Sequence, residues 1–192
     1  MPDRNPCKDD CLTLSLEKSR GFSMLEMLVT IAIAAVLLGY AMPSFRTIVG
    51  ESEITATVNE FVFSLQTARS EAIKRAGPVA LCHSATPLAA NAACDGSSYA
   101  DGWIVYVDRD DSGNLNANDV LVLQKEARSA AFTFTPSAAL TTQIRFSDTG
   151  TSVNVTGLPL SGSVVIDHAS GSDSRSVNIG ASGRVSLEEI TS

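Results

Sequence analysis

Glu26 sits inside an otherwise apolar run, and no other placement in the sequence is chemically so demanding. Across residues 22–42 only Ser23, Glu26 and Thr30 interrupt the apolar side chains. A carboxylate deep in a bilayer costs about 2.5–3.5 kcal/mol on insertion scales, so an ionisable residue there usually has a partner and a task. No basic residue lies within the run to neutralise it. If the chain were cut between Gly21 and Phe22, the new α-amino group would lie about one helical turn from Glu26, in the same chain or a neighbouring one.

A second set of candidate ligands lies at residues 108–119. Asp108, Asp110, Ser112, Asn116 and Asp119 place oxygen side chains, with Gly113 at the sharp turn, at the spacing of a twelve-residue calcium loop. The last position holds Asp instead of the long bidentate Glu, and the flanking segments read as strands where an EF-hand has helices. Asp, Asn, Ser and Gly also build a polar hairpin loop without any metal. That reading is preferred, so no cofactor is expected, with calcium the alternative at this loop.

Such groups must be positioned by larger elements. As a helix, residues 22–42 would extend about 31 Å, enough to cross a bilayer core. Lys18 and Arg20 precede the run and no Lys or Arg follows until Arg46, so the N-terminus is expected in the cytoplasm and the rest outside. From Phe45 to Ile73 apolar residues recur largely in steps of three and four, including Ile54, Val58, Phe61, Leu65, Ala68 and Ala72. This periodicity predicts an amphipathic continuation of the helix over 43–77, closed by Gly77-Pro78 and kinked at Pro43. Nine short β-rich runs follow, at 79–82, 103–107, 120–124, 131–135, 143–146, 152–156, 163–167, 176–179 and 184–187. The fold class is therefore α+β: one long N-terminal helix packed on an antiparallel β-rich head at 78–192.

The 192 residues include 14 Lys and Arg against 21 Asp and Glu, a formal charge of −7. That sign is wrong for a broad nucleic-acid-binding face. Cys7 and Cys11 precede the apolar run and belong to the cytoplasmic side, whereas Cys82 and Cys94 belong to the exported side, where a disulfide between them is expected. A zinc site on Cys82, His83 and Cys94 competes, but neighbours on a strand point to opposite faces and no fourth ligand is spaced nearby. The sequence has no phosphate-binding loop, dinucleotide fingerprint or nucleophile elbow. His168, beside Asp167, reads as a solvated strand end. No catalytic site is expected.

Arg20-Gly21-Phe22-Ser23-Met24-Leu25-Glu26, followed by an apolar helix and Pro43, resembles the class III leader and N-terminal helix of type IV pilins and type II secretion pseudopilins. The resemblance implies cleavage of a leader, residues 1–21, between Gly21 and Phe22 by a prepilin peptidase, with N-methylation of Phe22. It also implies that Glu26 pairs with the N-terminal amine of an adjacent subunit during assembly. The leader is longer and more acidic than is common in that family. The stretch 102–108, Gly-Trp-Ile-Val-Tyr-Val-Asp, with Leu81-Cys82 before it, resembles the head of the GspH/FimT class of minor pilins and pseudopilins. Taken together, the two motifs imply a structural subunit near a filament tip that primes assembly of a type IV pilus or a type II secretion pseudopilus. Its partners would be other pilin or pseudopilin subunits, the prepilin peptidase, the inner-membrane assembly platform and membrane lipid. It would sit in a bacterial inner membrane as a single-pass protein with a periplasmic head. Some FimT-like minor pilins instead capture DNA through a basic C-terminal Gly-Arg-x-Arg motif. Here the matching stretch is Gly183-Arg184-Val185-Ser186, followed by Glu188 and Glu189, and only Arg175 and Arg184 could make a local basic spot.

Overall fold

The structure is a computed structural model of the chain and describes residues 21–169 and 174–190, with the side chains of 40–47 also outside the description. Most of the expected leader, with Cys7 and Cys11, therefore lies outside the described residues, as does the side chain of Pro43. One helix, α1, spans Met24–Arg75. The boundary between two compact units falls inside it, between Ala41 and Met42. Among the described residues no helix is long and apolar enough to cross a membrane. The apolar side chains described end at residue 39, short of the full 22–42 segment.

In the second unit the heptad-like spacing of α1 has a direct structural consequence. Ile54, Val58, Phe61, Leu65, Ala68 and Ala72 are all buried because steps of four and three keep them on one helical face. Ile48, Val49 and Ile73, which continue the apolar pattern, are exposed. The helix ends one residue earlier than Gly77 suggests. Ala76 takes a positive φ of 48°, and the Gly77 N–H donates to the Ala72 carbonyl at 3.2 Å, as in a Schellman cap with Ala in the left-handed position.

Among the described residues nine strands follow: β1 Val79–His83, β2 Trp103–Val107, β3 Val120–Lys125, β4 Phe132–Pro136, β5 Gln143–Phe146, β6 Ser152–Val153, β7 Gly162–His168, β8 Ser174–Ile179 and β9 Val185–Ile190. They form two antiparallel sheets, one ordered β3-β2-β1-β5-β6 and one ordered β4-β7-β8-β9. The run at 152–156 stays paired for only two residues. Its reason is local: the Asn154 carboxamide oxygen accepts from the N–H groups of Thr156 and Leu158 at 3.0 and 2.9 Å and turns the chain, an Asx turn outcompeting the ladder.

Both sheets and the second half of α1 share one core. At its centre the Phe61 ring meets Tyr99, Trp103 and Phe134 edge-on, with centroids 5.3–5.7 Å apart, the arrangement aromatic quadrupoles favour. Trp103 Nε1 donates to Ser64 Oγ at 2.9 Å, and the Ser64 hydroxyl donates to the Glu60 carbonyl at 2.8 Å. Arg69 fastens the far end of the helix by donating to the carbonyls of Gly150 and Ser182, both at 3.0 Å. Gly183 is needed there. Its φ is +73°, and a Cβ would stand 1.9 Å from the Gly150 oxygen.

Candidate functional site

The first candidate site lies at the N-terminal end of α1. Ser23 starts α1: its Oγ accepts the Leu25 N–H at 3.3 Å, and its carbonyl accepts the Met27 N–H at 3.2 Å. Glu26 lies in the first helical turn, where a carboxylate is favoured by the helix dipole. Among the described residues no cation pairs with it. Around it Phe22, Met24, Leu25, Leu28 and Ile31 are all exposed. An apolar surface of this extent requires a cover of lipid or protein. Gly21 and Phe22 are exposed and precede the helix, outside any regular element.

The loop at 108–119 is organised around its own carboxylates. Ligand oxygens of Asp108, Asp110 and Asp119 all lie within 4.8 Å of one another. Each oxygen set is already engaged. Asp108 is fully buried, accepts from the Ser112 and Gly113 N–H groups at 3.0 and 2.8 Å, and faces the Arg145 guanidinium at 3.0 Å. Asp110 accepts from the Ser112 N–H at 3.2 Å and from the Asn116 and Asn118 amides at 3.0 and 3.3 Å. Hydrogen bonding from Ser112, above all, holds the Asp110 carboxyl down to about 2. Asp119 accepts from the Arg109 and Asn116 N–H groups at 2.9 and 2.8 Å. Ser112 donates its hydroxyl to the Asn114 carbonyl at 3.0 Å, and Asn116 turns its NH₂ toward Asp110. Gly113, at the expected sharp turn, has φ +75°. These bonds describe a hairpin loop closed by internal donors, with Arg145 as the counter-charge.

Sequence reasoning missed Arg145. On β5 it alternates with the buried Ile144 and Phe146, so the pattern points it away from the core. Only the folded loop covers that second face and buries it, where it also pairs with Asp111. His168 was likewise misplaced: its side chain is largely buried, its ring lies tilted against Phe132 with centroids 4.7 Å apart, and Nε2 is 3.2 Å from Glu53 Oε2. It is not a solvated strand end, because the β4–β7 register sets Phe132 directly opposite it.

Cys82 and Cys94 are joined by a disulfide with Cα atoms 5.6 Å apart. Cys82 lies in a small outer cluster with Ala80, Ile104 and Tyr106. His83 takes the opposite face, with its ring against Tyr99 at 5.5 Å and Nε2 bonded to the Thr141 carbonyl at 3.1 Å. The zinc alternative thus lacks both thiolates and the imidazole. Arg175 and Arg184 do not form one basic spot. Arg175 lies opposite Glu189 and pairs with it, whereas Arg184 sits beyond the Ile179–Val185 pair, five strand positions and about 17 Å further on.

A helix packed on antiparallel sheets around one core is also the arrangement found in proteins that this chain resembles. Residues 57–183 match the family model described as type II transport protein GspH, and residues 17–42 match the prokaryotic N-terminal methylation motif. No curated protein matches the chain. A crystal structure of the type IV minor pilin FimU from Pseudomonas aeruginosa shares the fold, with TM-score 0.50, 20% identity, and coverage of 72% of this chain and 90% of that one. A second crystal form of FimU aligns at TM-score 0.48, again with 20% identity, over 70% of this chain and 91% of that one. The class is that of pilin-like proteins, in which an N-terminal helix packs on an antiparallel β head. The chain belongs to the GspH family, whose fold is that of structural pilins and not of enzymes.

Proposed function

We propose that this chain is a minor pilin or pseudopilin subunit, cut between Gly21 and Phe22 by a prepilin peptidase and N-methylated at Phe22. Residues 22–42 then anchor it in a bacterial inner membrane with the head in the periplasm. The assembly platform draws it from there into a type IV pilus or a type II secretion pseudopilus, near the tip, where it primes assembly. The observation that carries this reading is Glu26: a carboxylate in the first turn of an exposed apolar helix, with no cation among the described residues to pair with it. In a bundle of like helices the methylated amine of a neighbour supplies that cation, and each pair removes two buried unpaired charges at once. The DNA-capture reading has no comparable support, since Arg184 stands apart from Arg175 and the next charged residues are acidic.

The test is complementation of a deletion strain with the Glu26→Ala gene. Membrane abundance should hold or rise, because an ionised group costly in lipid is gone. Cleavage should persist, and intact mass should begin at N-methylated Phe22. Filament or secretion output should fail. Normal output, or a mature protein that keeps residues 1–21, would remove the basis of the reading.

A further inference from the structure

The outer edges of the two sheets are not equally protected. β3 carries a register shift against β2 at Val105/Tyr106 and ends in Lys125, β6 is two residues long with Val153 bridged to Pro159, and β4 ends in Pro136. Bulges, Lys, Pro and shortness are the devices that stop a sheet edge from pairing with another chain. β9 has no bulge, Lys or Pro and is not short; its guard is the charge of Glu188 and Glu189, which repels an acidic edge but not a basic one. It is an outermost strand of six residues, Val-Ser-Leu-Glu-Glu-Ile, and five of the six are exposed, with Leu187 at 51% and Ile190 at 39%.

Beside this edge runs a groove of about 340 Å³, lined by Thr55, Val58 and Asn59 of α1 and by Arg175, Leu187, Glu188 and Glu189 of the sheet. Strand alternation sends Leu187 and Glu189 to the face that carries Val185, which packs on the core, and sends Glu188 to the other face. Glu189 is neutralised by Arg175. Glu188 accepts only a 3.3 Å bond from the Asn178 amide, and no cation among the described residues pairs with it.

We propose that β9 is a docking edge for an extended strand of a different polypeptide, one that sets an apolar residue opposite Leu187 and a Lys or Arg opposite Glu188. Backbone hydrogen bonds supply the pairing, while the groove and Glu188 supply the choice of partner. The apolar side chain enters the groove against Val58, and the adjacent basic residue, on the opposite face of the added strand, meets Glu188. A second copy of this chain is the wrong occupant. Two β9 strands paired antiparallel near their centres would set the Glu188 and Glu189 residues of both copies opposite or diagonal to one another, a like-charge contact that destabilises a sheet. The inference rests on the fold and the edge, and is independent of the assembly role given to Glu26.

The experiment uses the full chain in detergent micelles and an acetylated heptapeptide of alternating valine and lysine. Saturating peptide should slow amide exchange across residues 185–190 at least fivefold. N-methylating alternate peptide residues in one phase should abolish binding and in the other phase should leave it intact, because only one set of peptide N–H groups faces β9. Glu188→Lys should weaken the peptide at least tenfold, and a peptide with glutamate in place of lysine should recover the affinity. Glu188 is a surface position, and an unchanged thermal transition of the variant verifies its fold. Equal binding by both N-methylated peptides, unchanged exchange at 185–190, or indifference to the charge reversal would each overturn the proposal. So would concentration-dependent dimerisation that protects β9 without peptide, since the occupant would then be a second copy.

Discussion

Two stretches of α1 use the same aliphatic vocabulary and meet opposite fates. From Met24 to residue 39, Leu, Ile, Val and Met cover the whole helix surface, and the large ones are exposed. From residue 54 to residue 72 one stripe, Ile54, Val58, Phe61, Leu65, Ala68 and Ala72, is buried, while Phe63, off that stripe, is exposed. A stripe says that the partner is on one side and belongs to the same chain. Apolar side chains all round say that the partner surrounds the helix and is supplied from outside, as lipid or as other helices. The carboxylates follow the same division: Asp108 is buried with Arg145 beside it, whereas Glu26 has no cation paired with it among the described residues.

The largest expected effect breaks the comparison at its centre. Phe61→Ala should lower unfolding free energy by about 3–5 kcal/mol, because its ring contacts Tyr99, Trp103 and Phe134 together. Leu28→Ala, an equally drastic truncation on the exposed stretch, should leave the same transition within about 0.5 kcal/mol. Denaturant unfolding of the full chain in detergent, followed by Trp103 fluorescence, measures both. Equal losses would mean that the first stretch is also packed by its own chain.

A smaller effect sharpens how the second stretch is held. Gly183→Ala should destabilise by about 2–3 kcal/mol, since the new Cβ meets the Gly150 carbonyl and φ is positive. The damage should be local to the Arg69 end of the helix, so amide exchange should accelerate around residues 150 and 180–184 before it does so around Trp103. A uniform acceleration would contradict this.

The smallest effect concerns a region ordered by surface hydrogen bonds and not by burial. The Asp110 carboxyl is held down to about 2 in the folded loop, below its ordinary range near 4. A depressed carboxylate adds stability that is complete above the unfolded value and is lost as pH falls from about 4 through about 2. Amide protection of Ser112 should fade over that window, and Asp110→Asn should remove the pH dependence there without moving the main transition. An unchanged acid profile in the variant would assign the effect to another group.

Much of this molecule was legible in its sequence, and the legible parts share a cause. The buried face of α1, the nine strands and the α+β class follow from period and from turn residues, which are local properties. What the sequence pattern got wrong lies where one segment covers another. Residues 154–156 alternate like a strand, yet Asn154 captures the amides of Thr156 and Leu158. His168 looks like a strand end in water, yet register sets it on Phe132.

The sequence by itself determined the helix, its two kinds of surface, the Gly21-Phe22 junction with Glu26 beyond it, and the run of strands. Each of these depends on residues within a few helical turns or strand positions of one another. Only the tertiary structure decided that Arg145, thirty-seven positions along from Asp108, would be buried against it and that Gly183 would lie under the Gly150 carbonyl. Likewise it alone decided that β9 would be left as an open edge. Such contacts join segments far apart in the chain, and which face of each segment is covered is set by how the two sheets and the helix close on one core.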